Sequence, residues 1–249
     1  DAHYSFAQVS GEEKFFDYNP SCVNILVGVG PAAIEMGLVE PVGDVTEVRI
    51  RAVNTGTRVA SLVQTPGRQV RYDGKASIDG VPGTSAPIQL QFMDVVGSAT
   101  SGLFPTGHKK EEINGLEVSC MDVAMAMVIG RSEDFGITGY ESAAELDANK
   151  ALLETIEAVR LIAGERMGLG DVTKSVIPKF GLLAPPRNGG AATVRYFMPW
   201  NCHPTLAVTG SQCLASCLLA PGTVAEGLLP SLPPSPSRMQ LEHPMGSME

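Results

Sequence analysis

Apolar and polar positions follow two different periods along this chain, and their order predicts a mixed α/β protein. Residues 45–53 and 88–96 show the alternation of half-buried strands, with turn-forming residues between strands. In 22–36 the apolar positions follow a helical repeat and continue around the helix, which indicates a helix buried within a surrounding sheet. Further strands are predicted at 4–9, 14–18, 58–63 and 69–72.

The second half of the chain repeats the order of strand, polar loop and small-residue helix. Ser142 and Glu145 form a capping-box sequence, and the apolar stripe after them predicts a surface helix that ends at Met167. An apolar helix rich in small residues is predicted at 210–219. The shared order is weak evidence for an internal pseudo-repeat. Strands are predicted at 115–129, 176–177, 180–184 and 193–198.

The segment boundaries predict two domains and a linker. The first domain is expected at 1–98 and the second at 99–229, while 230–249 contains a run of Pro and Ser and is expected to lead back towards the first domain. The chain starts at Asp1 rather than at Met, and 241–244 resemble the beginning of a strand and turn. We therefore expect both ends to be truncated, with strands missing at each.

Charge and hydropathy narrow the class of ligand. The chain has 18 Lys and Arg against 27 Asp and Glu, a net charge of -9, so it lacks the basic field that nucleic acid or anionic lipid requires. No apolar run is long enough to span a membrane, and no signal sequence is recognised at the start. A cytoplasmic protein is expected, in which any anionic substrate is held by local positive potential.

Cys22 is the residue with the most distinctive placement. It directly precedes the predicted buried helix, where unpaired N–H groups and the helix dipole lower the pKa of a thiol. A buried structural cysteine is an equally good interpretation from the residues alone. Asn24 follows in the first turn and has an amide that can donate to a carboxylate.

Neither a metal nor a cofactor is predicted. Cys213 and Cys217 share one helix face, and with Cys202, His203 or His243 they would offer zinc ligands, but no second ligand motif accompanies them. Small core cysteines, all reduced, are the preferred interpretation. The glycines of the first helix do not continue as a dinucleotide-binding fingerprint.

Several segments are similar to one enzyme family. Residues 21–31, Ser-Cys-Val-Asn-Ile-Leu-Val-Gly-Val-Gly-Pro, resemble the asparagine-cysteine-glycine-asparagine helix of the PrpF-type isomerases, which share the diaminopimelate epimerase fold. The agreement covers nearly the whole chain and is strongest with the 4-oxalomesaconate tautomerase branch. It includes 103–107, 136–141, 164–172, 184–187 and the segment around His203.

The resemblance implies two pseudo-symmetric domains, each a curved sheet wrapped around a central helix, with the site between the two helix N-termini. It implies cofactor-free movement of a proton between carbons of a small unsaturated di- or tricarboxylate, and it allows a homodimer. Cys22 matches the family's catalytic cysteine. The expected carboxylate-binding residues are Asn24, Ser98, Ser101, His203, Thr209, Gly210 and Ser211.

Two departures from the family pattern leave alternatives open. Val23 stands where the family has glycine, and the lysine that partners the cysteine in several members belongs to a strand before Asp1. Aconitate or methylitaconate isomerisation is one alternative, and a non-catalytic relative is another. A two-thiol racemase is disfavoured, because Thr209, Gly210 and Ser211 occupy the start of the second helix where such an enzyme has a cysteine.

Overall fold

The chain folds into two compact units, Asp1–Val95 and Val96–Glu249, and each is considered by itself. Both contain a sheet and at least one packed helix, as the alternation of periods predicts. Among the described residues no helix is long and apolar enough to cross a membrane. The structure is a computed structural model that describes residues 2–10, 15–17, 23–54, 56–79 and 81–249.

A twisted sheet forms the framework of the first unit. Its strands and helix are β1 (Ala2–Tyr4), β2 (Gln8–Ser10), β3 (Phe15–Asp17), α1 (Val23–Glu35), β4 (Val45–Ala52), β5 (Arg58–Gln64) and β6 (Gln89–Met93). The sheet has the order β1-β4-β5-β6, with β1 parallel to β4 and the other pairs antiparallel. The strands β2 and β3 form a separate antiparallel pair.

The helix α1 packs on the sheet through its smallest residues. A β-carbon at Gly30 would lie 2.5 Å from Ser61 Oγ and 2.9 Å from Val63 Cγ2, so glycine permits the close approach of α1 and β5. Leu26, only 2% exposed, belongs to the core on this face. Ile25 is 56% exposed on the other face. The described strands thus cover one face of α1, whereas the apolar pattern predicts burial all around.

A longer sheet organises the second unit. Its strands are β7 (Glu111–Ile113), β8 (Leu116–Asp122), β9 (Ala126–Arg131), β10 (Lys179–Ala184), β11 (Ala192–Phe197), β12 (Leu241–His243) and β13 (Gly246–Met248). They follow the order β13-β12-β11-β10-β9-β8-β7, with β9–β10 and β11–β12 as the parallel pairs.

Helices cover both faces of this sheet. α2 (Ala143–Ala148) begins with the predicted capping box, and α3 (Lys150–Arg166) follows it and packs through Ile156 against a core that includes Phe180. α4 (Val208–Leu219) lies on the opposite face, where a β-carbon at Gly181 would approach Leu214 to 2.8 Å. A sheet between two helix layers buries the apolar faces of all three.

Several segments differ from the sequence expectation. The predicted surface helix is divided at Asn149 into α2 and α3. Residues 69–72 are irregular, because the Pro66–Arg68 turn redirects the chain and leaves isolated backbone bonds, from Arg71 to the Gln64 carbonyl and from Ala86 to the Tyr72 carbonyl, in place of a ladder. Residues 176–177 are also outside any strand. At the end of the chain, β12 pairs with β11 in the sheet of the second unit.

Candidate active site

One end of the second sheet collects polar groups from several elements. β8 ends there at Asp122, and β10 begins there with Lys179. The register shows that these residues are level with each other, since Met127 of β9 pairs with Met121 of β8 on one side and with Lys179 on the other. β11 ends at the same level, since Phe197 pairs with Phe180. The chain between β11 and α4 returns over this end of the sheet. We call this end of the sheet the β10 end of the second unit.

The loop before β7 is attached to this end by a buried carboxylate. Asp122 accepts hydrogen bonds from Ser98 Oγ at 2.6 Å, from the Ala99 N–H at 2.7 Å and from the Thr100 N–H at 2.8 Å. The Thr100 hydroxyl donates to the same carboxylate at 2.9 Å. Asp122 is fully buried. Four donors therefore satisfy it, and they fix the position of the loop.

The N-terminus of α4 lies at the same end, against β11. A β-carbon at Gly210 would collide with the Tyr196 ring, so the glycine allows the first turn of α4 to contact the strand. Ala207 precedes the helix and provides no side-chain cap, and the first helical N–H groups have no partner within a helix. Ser211 donates its hydroxyl back to the Val208 carbonyl at 2.8 Å. These amides form a region of positive potential.

His203 stands between the end of β11 and this helix. Its backbone N–H donates to the Tyr196 carbonyl at 2.7 Å, and its ring meets the Tyr196 ring edge-on with 6.1 Å between centroids. The Thr205 N–H donates to His203 Nδ1 at 3.0 Å, so Nε2 is the nitrogen that carries the proton. Burial lowers the pKa of His203, and the charge of Lys179 lowers it further. The imidazole is therefore neutral at neutral pH and can donate one hydrogen bond.

Lys179 completes the group. The alternation of β10 places its side chain on the face of Gly181, the face that α4 covers. Its Nζ donates to the Met198 carbonyl at 3.3 Å. Burial lowers the pKa of Lys179 to about 8, with a smaller contribution from the charge of Arg160. The ammonium is thus partly desolvated and near its titration point at neutral pH.

The described cysteines do not act as thiolates in this environment. Cys120, Cys202, Cys213 and Cys217 are free and buried. Burial raises the pKa of Cys202 to about 11 and that of Cys217 to about 11, and it also raises the pKa values of the other two. Among the described residues no cluster of three or more His, Cys, Asp or Glu side chains could hold a metal ion.

The structure brings most of the predicted carboxylate-binding residues together. Ser98, Ser101 and His203 lie at the β10 end, as do Thr209, Gly210 and Ser211 of α4. Ser98 directs its hydroxyl proton to Asp122, which leaves it only lone pairs for a ligand. Cys22 lies outside the described residues, and so does the side chain of Asn24.

Sequence reasoning missed Lys179. A signal was present, because Lys179 opens the apolar run Phe-Gly-Leu-Leu-Ala, and a lysine at the start of a buried strand is a candidate for a functional cation. Its significance depends on the register that aligns it with His203 and α4, which the sequence does not reveal. Asp122 was missed for the same reason.

The relatives that comparison with known proteins finds agree with one another in family. The family model described as "PrpF protein" matches residues 1–249. The protein YbhH of Escherichia coli (strain K12), whose name gives it only a provisional isomerase assignment, is 48% identical over 249 residues, which is 100% of this chain and 71% of that protein. A (4E)-oxalomesaconate Delta-isomerase of Novosphingobium sp. (strain KA1) is 45% identical over 248 residues, covering 100% of this chain and 70% of the relative.

A solved structure agrees with these sequence relatives. The crystal structure of a methylitaconate-delta-isomerase superimposes with a TM-score of 0.90 at 29% identity, covering 99% of this chain and 70% of that one. A proline racemase structure, at a TM-score of 0.52 and 12% identity, shows a similar fold only. The fold is therefore of the diaminopimelate epimerase-like type.

Proposed function

The chain belongs to the PrpF family and is an isomerase, and from this premise we propose that it catalyses keto–enol tautomerisation of 4-oxalomesaconate. The observation that carries the proposal is the set of donors at the β10 end, where the uncapped start of α4 and the neutral imidazole of His203 both contact the Tyr196 ring. Such donors suit a small polycarboxylate. Identity of 45% to an oxalomesaconate isomerase favours this substrate over other polycarboxylates.

The chemistry requires one proton to leave carbon and one to return. A base removes the proton from a carbon flanked by carbonyl groups, and its bonding electrons move onto the carbonyl oxygen. The resulting enolate is protonated on oxygen to give the enol, or on carbon in the reverse direction. No electrons leave the substrate, so the reaction needs no oxidant or reductant. Donors aimed at the enolate oxygen lower the barrier.

We assign the proton transfer to Cys22. The support is its place in the sequence, immediately before Val23, where α1 begins. A cysteine at a helix N-terminus has a lowered thiol pKa and can exchange a proton near neutral pH. The described cysteines cannot take this role, because burial raises the pKa of each.

Deuterium uptake from solvent into 4-oxalomesaconate tests the assignment. We expect the Cys22→Ser variant to exchange about 100-fold more slowly or worse, the usual size of a lost acid or base. Cys217→Ser is the matched control, since burial keeps that thiol neutral and the proposed mechanism does not use it. The exchange rate of this variant per folded molecule should equal that of the wild type. Equal exchange in wild type and Cys22→Ser would remove Cys22 from the mechanism.

Methylitaconate isomerisation is the second candidate, because the solved methylitaconate-delta-isomerase superimposes so closely. The same exchange experiment with methylitaconate and aconitate beside 4-oxalomesaconate decides between them. We expect the largest kcat/KM with 4-oxalomesaconate. A larger value for either other acid would replace the proposed substrate, and no exchange with any of the three would overturn the proposed function.

A further inference from the structure

Arg160 is a fully buried charge on α3, next to the two segments that frame the β10 end. Its side chain is 0% exposed. The guanidinium binds Glu157 of the same helix through two hydrogen bonds of 2.7 Å each. Other residues of α3 that face the core, such as Ile156 and Val159, are apolar. Because a buried ion pair adds little stability compared with apolar side chains of similar size, packing alone does not explain an arginine at this position.

The first segment that Arg160 contacts is 172–178, which leads into β10. The Nη2 group donates to the Val172 carbonyl at 3.0 Å, and Nη1 donates to the Ser175 carbonyl at 3.1 Å and to the Ile177 carbonyl at 3.4 Å. With the two bonds to its own helix, all five N–H donors of the guanidinium are used. A single side chain therefore fixes three carbonyls of one short segment directly before β10.

The second segment that Arg160 contacts follows β11 and contains Trp200. The guanidinium carbon lies 5.8 Å from the centre of the Trp200 ring, in a cation–π contact. His203 follows three residues later in the same segment. The two segments are also joined to each other, since Lys179 donates to the Met198 carbonyl at 3.3 Å. Arg160 therefore holds both the chain that enters β10 and the chain that carries His203.

We propose that Arg160 is a positioning residue, which sets the location of His203 by fixing the segment 172–178 and the segment that contains Trp200. Arg160 is fully buried, so it acts through these two segments and does not touch a ligand. Its role in the reaction rests on the proposed function, because His203 is one of the donors at the candidate site. A displaced donor is aimed less well at the enolate oxygen, and a displacement of about 1 Å can lower a rate about 100-fold.

Solvent deuterium exchange into 4-oxalomesaconate tests the proposal through kcat. Arg160→Lys keeps the charge but loses the planar fork, so we expect its kcat per folded molecule to be about 10- to 100-fold lower, with a smaller change in KM. Arg238→Lys is the matched control, because the Arg238 side chain is 87% exposed, and its kcat should equal that of the wild type. Equal kcat in Arg160→Lys and wild type overturns the proposal.

A double-mutant comparison separates positioning from a merely structural role. Once His203→Leu has removed the donor, adding Arg160→Lys should lower kcat by less than about twofold further, because the group that Arg160 positions is already lost. An arginine with only a structural role would lower kcat by the same factor in both backgrounds, since independent effects add as free energies. That result would overturn the proposal.

The fluorescence of Trp200 gives a readout that does not depend on activity. Trp200 is the only tryptophan of the chain, so its emission reports on the contact with Arg160. We expect Arg160→Met to shift the emission maximum to longer wavelength and to increase quenching by acrylamide, because the ring loses its cation and becomes more exposed to solvent. An unchanged spectrum would show that Arg160 does not fix this segment, and would overturn the proposal.

The two proposals fail in different ways. A wild type that exchanges none of the three acids, together with the expected emission shift in Arg160→Met, would overturn the proposed function and support the fixation of the Trp200 segment by Arg160. Exchange by the wild type that Arg160→Lys leaves unaltered would remove the positioning role alone. If Arg160→Met unfolds, the double variant Glu157→Gln/Arg160→Met decides, because it removes both charges and leaves neither unpaired.

Discussion

Asp122 shows how one buried carboxylate can position a predicted site. It ends β8, is fully buried and accepts four hydrogen bonds from Ser98, Ala99 and Thr100. The hydroxyl proton of Ser98 is committed to this carboxylate. A ligand at the β10 end would therefore meet a fixed loop, in which Ser98 has a supporting role and Ser101 keeps an exposed hydroxyl.

The variant Asp122→Asn should destabilise the second unit. An amide can keep its oxygen towards the donors of Ala99 and Thr100 and turn its NH2 group towards the Ser98 hydroxyl, so these hydrogen bonds lose only the strength that the negative charge gives them. We expect a loss of about 1–3 kcal/mol in the free energy of unfolding, from the replacement of charge-assisted hydrogen bonds by neutral ones. Urea denaturation measures it.

Asp134→Asn is the control for the same chemical change at an exposed position, because Asp134 is exposed in a short turn. Its free energy of unfolding should stay within about 0.5 kcal/mol of the wild type. A similarly small effect for Asp122→Asn would show that the loop is held by other contacts.

The two central glycines of α1 have opposite roles in that element. Gly30 faces β5, where a β-carbon would lie 2.5 Å from Ser61 Oγ, whereas a β-carbon at Gly28 would meet none of the described residues within 4 Å. We expect Gly30→Ala to destabilise the first unit by about 1–3 kcal/mol through overpacking. Gly28→Ala should stabilise it by up to about 1 kcal/mol through helix propensity.

Thermal unfolding followed by circular dichroism compares the two variants. The same substitution in one helix makes each the control for the other, since side-chain size and propensity change equally. A decrease in stability for both would indicate that glycine is needed for the shape of α1 itself. An increase for both would show that β5 can move away without cost.

At the scale of the whole molecule, net charge opposes the binding of an anionic substrate. The net charge of -9 repels a polycarboxylate at long range, whereas the hydrogen-bond donors of the candidate site act only at short range. Salt screens exposed charges beyond a Debye length of about 8 Å at physiological ionic strength, and it affects a partly buried pair less.

We therefore expect kcat/KM for 4-oxalomesaconate to rise, by up to about threefold, when salt is increased from about 20 to about 200 mM. Stopped-flow or steady-state assays at constant pH measure it, with a neutral osmolyte at equal osmolality as control. A decrease of kcat/KM with salt would indicate that attraction by an extended positive surface dominates the encounter.

Sequence patterns identified most elements of both units, because the side chains of these helices and strands face either the core or solvent. β4 alternates between core and solvent, and α3 has one apolar stripe, so local periods define them. Residues 69–72 have strand-forming side chains, but they make only isolated backbone bonds, to Gln64 and Ala86, and no ladder within the described part of the chain. Pairing partners are distant in sequence, and local preference cannot supply them.

The sequence by itself determined the family and the α/β class, because short motifs and local apolar periods can be recognised without knowledge of distant neighbours. The site residues that it suggested stay predictions. Only the tertiary structure decided that Lys179 lies with His203 at the start of α4, and that Asp122 holds Ser98. These relations depend on strand register and on burial. Both are properties of packed neighbours, which no single segment of the chain contains.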